Sequence, residues 1–195
     1  LGILGYKTLL VDLDPQGNAT SGVGVAKKGL SMTIKEVLLN ENIPAKDAVM
    51  ETHFENLWLL PAHISLAGVE FDLFDEENSE YILKRKLDEL RADFDYIIMD
   101  CPPSLGMLTI NALAASDGVV VPMQCEFYAL EGLSQLMVTI NRIKRMYNPE
   151  LSITGILITM FNGRLLLSMQ VINELNKHYA DKLFATTISR NVKVS

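Results

Sequence analysis

Six short apolar runs with little polar alternation constrain this chain more than any other feature. They are residues 8–11 (TLLV), Leu57–Leu60 (LWLL), 96–99 (YIIM), 118–121 (GVVV), 153–158 (ITGILI) and 183–187 (LFATT). A strand with one wet face alternates between apolar and polar side chains. A continuous apolar run instead predicts burial on both faces, as in a parallel sheet covered by helices. Segments of helical period lie between the runs. In residues 79–92 the apolar positions Ile82, Leu83, Leu87 and Leu90 share one face. In residues 129–146 the stripe runs Leu130, Leu133, Leu136, Met137, Ile140, Ile143. Thr33 followed by Glu36 predicts a capping box opening a short helix. Residues 1–5 read as the last turn of a helix closed by a glycine, and the acidic stretch 72–80 as a surface loop entering a helix. Strands alternating with helices require right-handed crossovers, so the expected class is α/β with a doubly wound, mostly parallel sheet. No repeat or linker interrupts residues 1–195, which read as one domain cut at both ends.

Charge decides which partners are open to it. The net charge of −7 argues against a polyanionic partner until its distribution is seen. Residues 1–140 hold 9 Lys/Arg against 21 Asp/Glu, and residues 141–195 hold 8 against 3. A basic final quarter on an acidic body permits a local phosphate-binding face, although the same counts also describe ordinary solvated helix surface. No apolar run is long enough to cross a bilayer and no charged-then-apolar leader opens the chain, so a cytoplasmic protein is expected. Cys101 and Cys125 fit no zinc or cluster spacing and read as reduced, partly buried small residues.

Two places carry chemistry. In Val11-Asp12-Leu13-Asp14-Pro15-Gln16-Gly17 an apolar strand delivers two carboxylates to its carboxyl end, where open α/β sheets bind ligands. Two residues apart on a strand, Asp12 and Asp14 are expected to point to the same face. Pro15 ends strand pairing, and Gly17 and Gly22 let backbone approach a ligand. Such a pair can hold Mg²⁺ through water or orient an attacking water. Taken alone, D-x-D-P reads first as an Asp-Pro turn. The second place is Tyr96-Ile97-Ile98-Met99-Asp100-Cys101-Pro102-Pro103-Ser104, an apolar strand ending in a carboxylate, which is the general form of a Walker B element. The two prolines fix the backbone where a loop leaves the sheet.

In order along the chain, DLDPQGNATSG, LPAHISLAGVE, DYIIMDCPPSLGMLTINAL, PMQCEFYALEGLSQL and GILITMFNGRLLLSMQV through TTISRNVKVS resemble the ParA/Soj chromosome- and plasmid-partitioning ATPases, of the deviant-Walker MinD/ParA superfamily. The resemblance covers nearly the whole chain. It implies a P-loop NTPase-like fold, ATP and Mg²⁺ as cofactors, and a homodimer when ATP is bound. It makes Asp14 the catalytic carboxylate that positions the hydrolytic water and lies at the metal. Asp12 lies beside it, supporting the metal shell, and Asp100 is the Walker B carboxylate acting through metal-bound water. Adenine contacts fall on Met160 and on Ser189, Arg190 and Asn191, with Ser189 standing where the family usually carries proline. Met160 reads equally as the apolar end of a strand. Nonspecific DNA binding falls on Arg164 and Lys193, with Lys177, Lys182 and Arg190 as weaker candidates. Leu165, Leu166 and Leu167 stand where the family often carries polar or basic residues.

The implied partners are DNA and a ParB-type centromere-binding protein, with the protein cytoplasmic on the nucleoid and no membrane involved. The family's K-G-G-V-G-K-T-T phosphate loop and its strand do not occur in these residues, so this stretch alone is expected neither to turn over ATP nor to fold stably. Two other readings stay open. One is a MinD-like positioning ATPase on membrane, which needs a terminal amphipathic helix. The other is a nucleotide-binding scaffold that only recruits partners. A nitrogenase iron-protein relative needs cluster-ligating cysteines, and Cys101 beside the Walker B Asp is the wrong place for one.

Overall fold

The computed structural model describes residues 1–74 and 76–191. They form two compact units, Leu1–Ala115 and Ser116–Ser195. In the first unit the sheet has the order β2-β3-β1-β4. Here β1 is Thr8–Asp12, β2 Met50–Glu51, β3 Leu57–Leu60 and β4 Tyr96–Asp100. β1 runs parallel to β3 and to β4, and only the short β2 is antiparallel, to β3. In the second unit β5 (Gly118–Gln124) runs parallel to β6 (Ser152–Thr159). The mixed α/β class with mostly parallel pairing follows the sequence reading.

Five of the six apolar runs are strands. The sixth, residues 183–187, is not: it meets β6 only through an isolated bridge between Ile156 and Leu183, with a second bridge pairing Phe161 and Ser189. Its backbone engages β6 only around Ile156, whose N–H donates to the Lys182 carbonyl and whose carbonyl accepts from the Phe184 N–H, so no ladder forms along the run.

The first unit carries α1 (Asn18–Gly22), α2 (Ile34–Leu39), α3 (Val69–Phe74), α4 (Ile82–Asp88) and α5 (Met107–Ala115). Thr33 and Glu36 form the expected capping box at the start of α2. Gly5 closes a 3₁₀ turn, Gly2–Leu4, in the left-handed conformation. The acidic stretch departs from expectation only at its start, where Asp72 lies inside α3; residues 76–78 are exposed turn and lead through a 3₁₀ turn, Ser79–Tyr81, into α4 as expected. Val69 and Leu73, four apart, are both buried, and this apolar pair holds a helical turn under the acidic surface.

Leu9, Val11 and Leu13 are fully buried and form the centre of the first core, with Ile34, Val37, Leu60, Leu66, Leu83 and Leu108. Burial on both faces holds for β1, flanked by β3 and β4. It does not hold for β4, where Tyr96 and Ile98 are 44% and 45% exposed. β4 is the last strand of its sheet among the described residues.

The second unit carries α6 (Ala129–Met146) and α7 (Leu166–Tyr179). Its core joins Val121 and Met123 of β5, Ile156 and Ile158 of β6, Leu133 of α6, and Val171 and Leu175 of α7. Among the described residues no helix is long and apolar enough to cross a membrane.

Candidate functional site

Asp12, Asp14 and Asp100 come together at the carboxyl ends of two neighbouring parallel strands. Asp12 and Asp100 are register partners across β1 and β4. One residue on, the Leu13 N–H donates to the Asp100 carbonyl at 2.8 Å, tying the loop after β1 to the end of β4.

Strand alternation does not place Asp14, because β1 ends at Asp12. The chain turns there: the Asp14 N–H donates to Asp12 Oδ1 at 3.1 Å, and the Gln16 N–H to Asp14 Oδ1 at 2.9 Å. These are the local side-chain-to-backbone bonds that aspartates make in turns. The Gly17 N–H closes the turn on the Asp14 carbonyl at 2.8 Å. Gly17 itself sits at φ +63°, and a Cβ there would lie 2.6 Å from the Lys27 side chain and 3.2 Å from the Ala62 carbonyl. The left-handed backbone and the close Ala62 carbonyl both favour glycine here.

Asp12 is wholly buried, and its carboxylate is occupied by the protein. Oδ2 accepts from both the backbone N–H and the hydroxyl of Thr20, each at 2.7 Å. The Thr20 hydroxyl oxygen in turn accepts from the Ala62 N–H at 3.1 Å, just beyond β3. Sequence reasoning assigns Thr20 no role, although it stands within the first motif. The available signal is a hydroxyl residue in the first turn of the helix that follows a buried aspartate.

Asp100, by contrast, is exposed at the end of β4. Desolvation by the surrounding protein raises its pKa above the usual 3.8, and the charges of Asp12 and Asp14 raise it further. Next to it, burial and then the Asp100 charge push the Cys101 thiol up to about 12. Beyond the prolines, the Thr109 hydroxyl donates to the Ser104 carbonyl at 2.6 Å, and Glu70 Oε1 accepts from the Leu108 N–H at 3.4 Å. These bonds fix the loop that leaves β4 onto the start of α5.

Among the described residues no cluster of three or more His, Cys, Asp or Glu side chains is arranged to hold an ion. Asp14 and Asp100 are hard oxygen donors, and their crowding is an excess of negative charge that a cation relieves. Too few to cage a metal, they suit one that brings most of its ligands as water and phosphate, as Mg²⁺ does.

In the second unit, Met160 follows β6 at φ 49° and is 48% exposed. The Ile188 N–H donates to the Ile158 carbonyl at 2.8 Å and the Phe161 N–H to the Ile188 carbonyl at 2.9 Å. This pairing brings residues 188–190 alongside 158–161, so Met160, Ser189 and Arg190 stand together as exposed residues, with Asn191 next in the chain. Arg164 is exposed in the turn before α7, where its N–H donates to Asn162 Oδ1. Leu165 and Leu166 beside it are 52% and 75% exposed. Lys177 pairs with Glu174 at 2.8 Å, and Lys182 lies 4.0 Å from Asp181. Lys193 lies outside the described residues.

Residues 1–153 match the AAA domain family AAA_31. The sporulation initiation inhibitor protein Soj of Bacillus subtilis is 48% identical over 195 residues, which cover 100% of this chain and 77% of that protein. A Mycobacterium smegmatis structure described as cobyrinic acid a,c-diamide synthase, with bound ATP analogue and magnesium, superposes with a TM-score of 0.89. It is 41% identical, over 97% of this chain and 77% of that one. A plasmid partition protein from Borrelia burgdorferi superposes at 0.80 with 28% identity, over 97% of this chain and 80% of that one.

Proposed function

Because the chain belongs to the ParA/Soj family of partitioning ATPases, we propose that the intact protein binds ATP with Mg²⁺, dimerises on it, and couples its hydrolysis to DNA partitioning. Residues 1–195 belong, in this reading, to one nucleotide-binding domain. The observation that carries it is the carboxylate pair Asp14 and Asp100 at adjacent parallel strand ends, one on a fixed turn and one exposed and crowded by like charge.

Asp14 orients the attacking water. Its Oδ1 receives the Gln16 N–H, which holds the carboxylate in one orientation. Asp14 and Asp100 would hold the metal through water, and Asp12 keeps the loop in place. Bound Mg²⁺ supplies charge neutralisation for the phosphates. No covalent intermediate is needed, since positioning and charge stabilisation account for phosphoryl transfer to water. Met160, Ser189, Arg190 and Asn191 are assigned to the adenine, and Arg164 and Lys193 to DNA phosphates. The partner is a ParB-type protein, and the place of action is the nucleoid. Without the family's phosphate loop, the 195-residue stretch by itself is inactive.

The test is Asp14→Ala in the intact protein, assayed for ATP turnover and for ATP binding. Turnover is expected to fall by at least about 100-fold with binding kept within a few-fold, as for loss of a group acting in the transition state. Turnover within threefold of wild type would sink the assignment.

A further inference from the structure

We propose that Thr20 is a positioning residue for the hydrolytic step, holding the loop that carries Asp14 in register through Asp12 and Ala62. The proposal rests on the reading of Asp14 as the carboxylate that orients the attacking water. Thr20 and Asp12 are both fully buried. The Thr20 hydroxyl has one proton, given to Asp12 Oδ2, and its oxygen receives the Ala62 N–H. The other carboxylate oxygen receives the Asp14 N–H.

One buried carboxylate therefore grips both ends of the turn from Asp14 to Thr20, and the hydroxyl passes that grip to the chain leaving β3. The middle of the turn has its own ties, in Gly17 to the Asp14 carbonyl and in the Lys27 ammonium on the Gln16 carbonyl at 2.6 Å. Neither of these reaches the β3 exit; the Thr20 hydroxyl does. Removing the hydroxyl withdraws one of the donors at Asp12 Oδ2 and orphans the Ala62 N–H, in a place from which water is excluded. The Asp14 turn is then free to shift, and displacement by about 1 Å in a reacting geometry can cost about 100-fold in rate.

Thr20→Val keeps the shape and removes the hydroxyl, whereas Thr20→Ser keeps the hydroxyl. In the intact protein, Thr20→Val is expected to lower kcat by about ten- to 100-fold with KM for ATP within about twofold, and Thr20→Ser to stay within about threefold of wild type. A merely structural role would move melting temperature and the yield of active protein but leave the single-turnover rate of ATP-loaded protein alone. That rate is the deciding readout. Thr20→Val turning over loaded ATP at the wild-type rate overturns the proposal, as does Thr20→Ser falling as far as Thr20→Val. If Thr20→Val does not fold, Thr20→Cys, a weak donor, must fall between Ser and complete loss, and a wild-type rate for Cys overturns the proposal. Asp14→Ala run alongside separates the two levels. Its activity sinks the underlying reading, while an inactive Asp14→Ala beside a fully active Thr20→Val sinks this one alone.

Discussion

Asp12 and Asp100 are register partners on adjacent parallel strands, yet Asp12 is fully buried and hydrogen-bonded while Asp100 opens to solvent with its pKa raised. The same side chain at the same level of the sheet serves two purposes. One is used up in holding a loop, and the other keeps its charge available at the cost of repulsion.

Desolvation, and with it that repulsion, predicts a stabilising substitution. A carboxyl whose native pKa is raised binds more protons folded than unfolded, so its contribution falls as pH rises from the unfolded value through the native one. Asp100→Asn removes this loss. Without nucleotide or Mg²⁺, the intact Asn variant is expected to melt higher than wild type at about pH 7, with the gap closing toward about pH 4. Melting curves across that range check it. A gap of the opposite sign, or one independent of pH, contradicts the raised pKa that desolvation and like charge give Asp100.

Lys86 gives a second prediction. It is 6% exposed on α4, and its ammonium donates to the carbonyls of Asn40, Glu41 and Ile43 at 3.0, 2.9 and 2.7 Å. All of its protons are used to tie the chain after α2 to α4. Lys86→Met keeps the apolar stem and removes the donors, which is expected to cost about 2 kcal/mol of stability in the intact protein by denaturant titration. A loss below about 0.5 kcal/mol would mean water replaces the ammonium at these carbonyls.

What the sequence reveals and what it hides divide along physical lines. β1 and β3 are legible because Leu9, Val11, Leu59 and Leu60 are buried without alternation, and α6 because Leu133, Ile140 and Ile143 recur with helical period. The Thr33–Glu36 box is legible because both halves of it are local. Asp12 and Asp100 are legible as strand ends. Their different environments are not, since Asp12 is bonded by Thr20, whose hydroxyl is in turn held by Ala62, a residue brought in by tertiary structure. The turn at Asp14 escapes for a related reason, because side-chain bonds from Asp12 and Asp14 end the strand earlier than alternation assumes. α3 is hidden by its acidic surface. Lys86 looks like any helix lysine, and nothing local marks the three carbonyls it serves.

The cysteines are expected to differ in reactivity. Burial and the Asp100 charge hold Cys101 at about 12, so almost none of it is thiolate near neutral pH. Cys125 is also raised, by desolvation alone. With a thiol reagent at about pH 8, Cys125 is expected to react first and Cys101 only after denaturant is added, as peptide mapping by mass spectrometry would show. Faster labelling at Cys101 would mean that its neighbourhood opens.

Arg164 is exposed, its backbone N–H bound to Asn162 Oδ1, and within the net-positive final quarter of the chain. Arg164→Ala in the ATP-bound intact protein is expected to weaken DNA binding and to flatten the slope of log affinity against log salt by about 0.9, the loss of one phosphate contact. A parallel Lys193→Ala is expected to act alike. Normal binding by both across a salt titration removes this patch from the DNA-binding reading and turns attention to the exposed leucines beside it.

Met160 allows backbone and side chain to be tested separately. At φ 49° it occupies the left-handed region, which costs a side-chain-bearing residue about 1–2 kcal/mol and suits glycine. Met160→Gly relieves that strain, while the greater freedom of the unfolded glycine chain offsets part of the gain, so the variant is expected to melt no lower than wild type. Met160→Val adds a branched carbon to the same strained backbone and is expected to lose stability. If the methionine side chain rests on the adenine, Met160→Gly also removes about 1 kcal/mol of apolar contact, and ATP affinity falls about fivefold in a protein that folds as well as before. A Gly variant with unchanged ATP affinity would leave Met160 as the turn residue after β6 and nothing more, and the base contact would then fall to Ser189, Arg190 or Asn191.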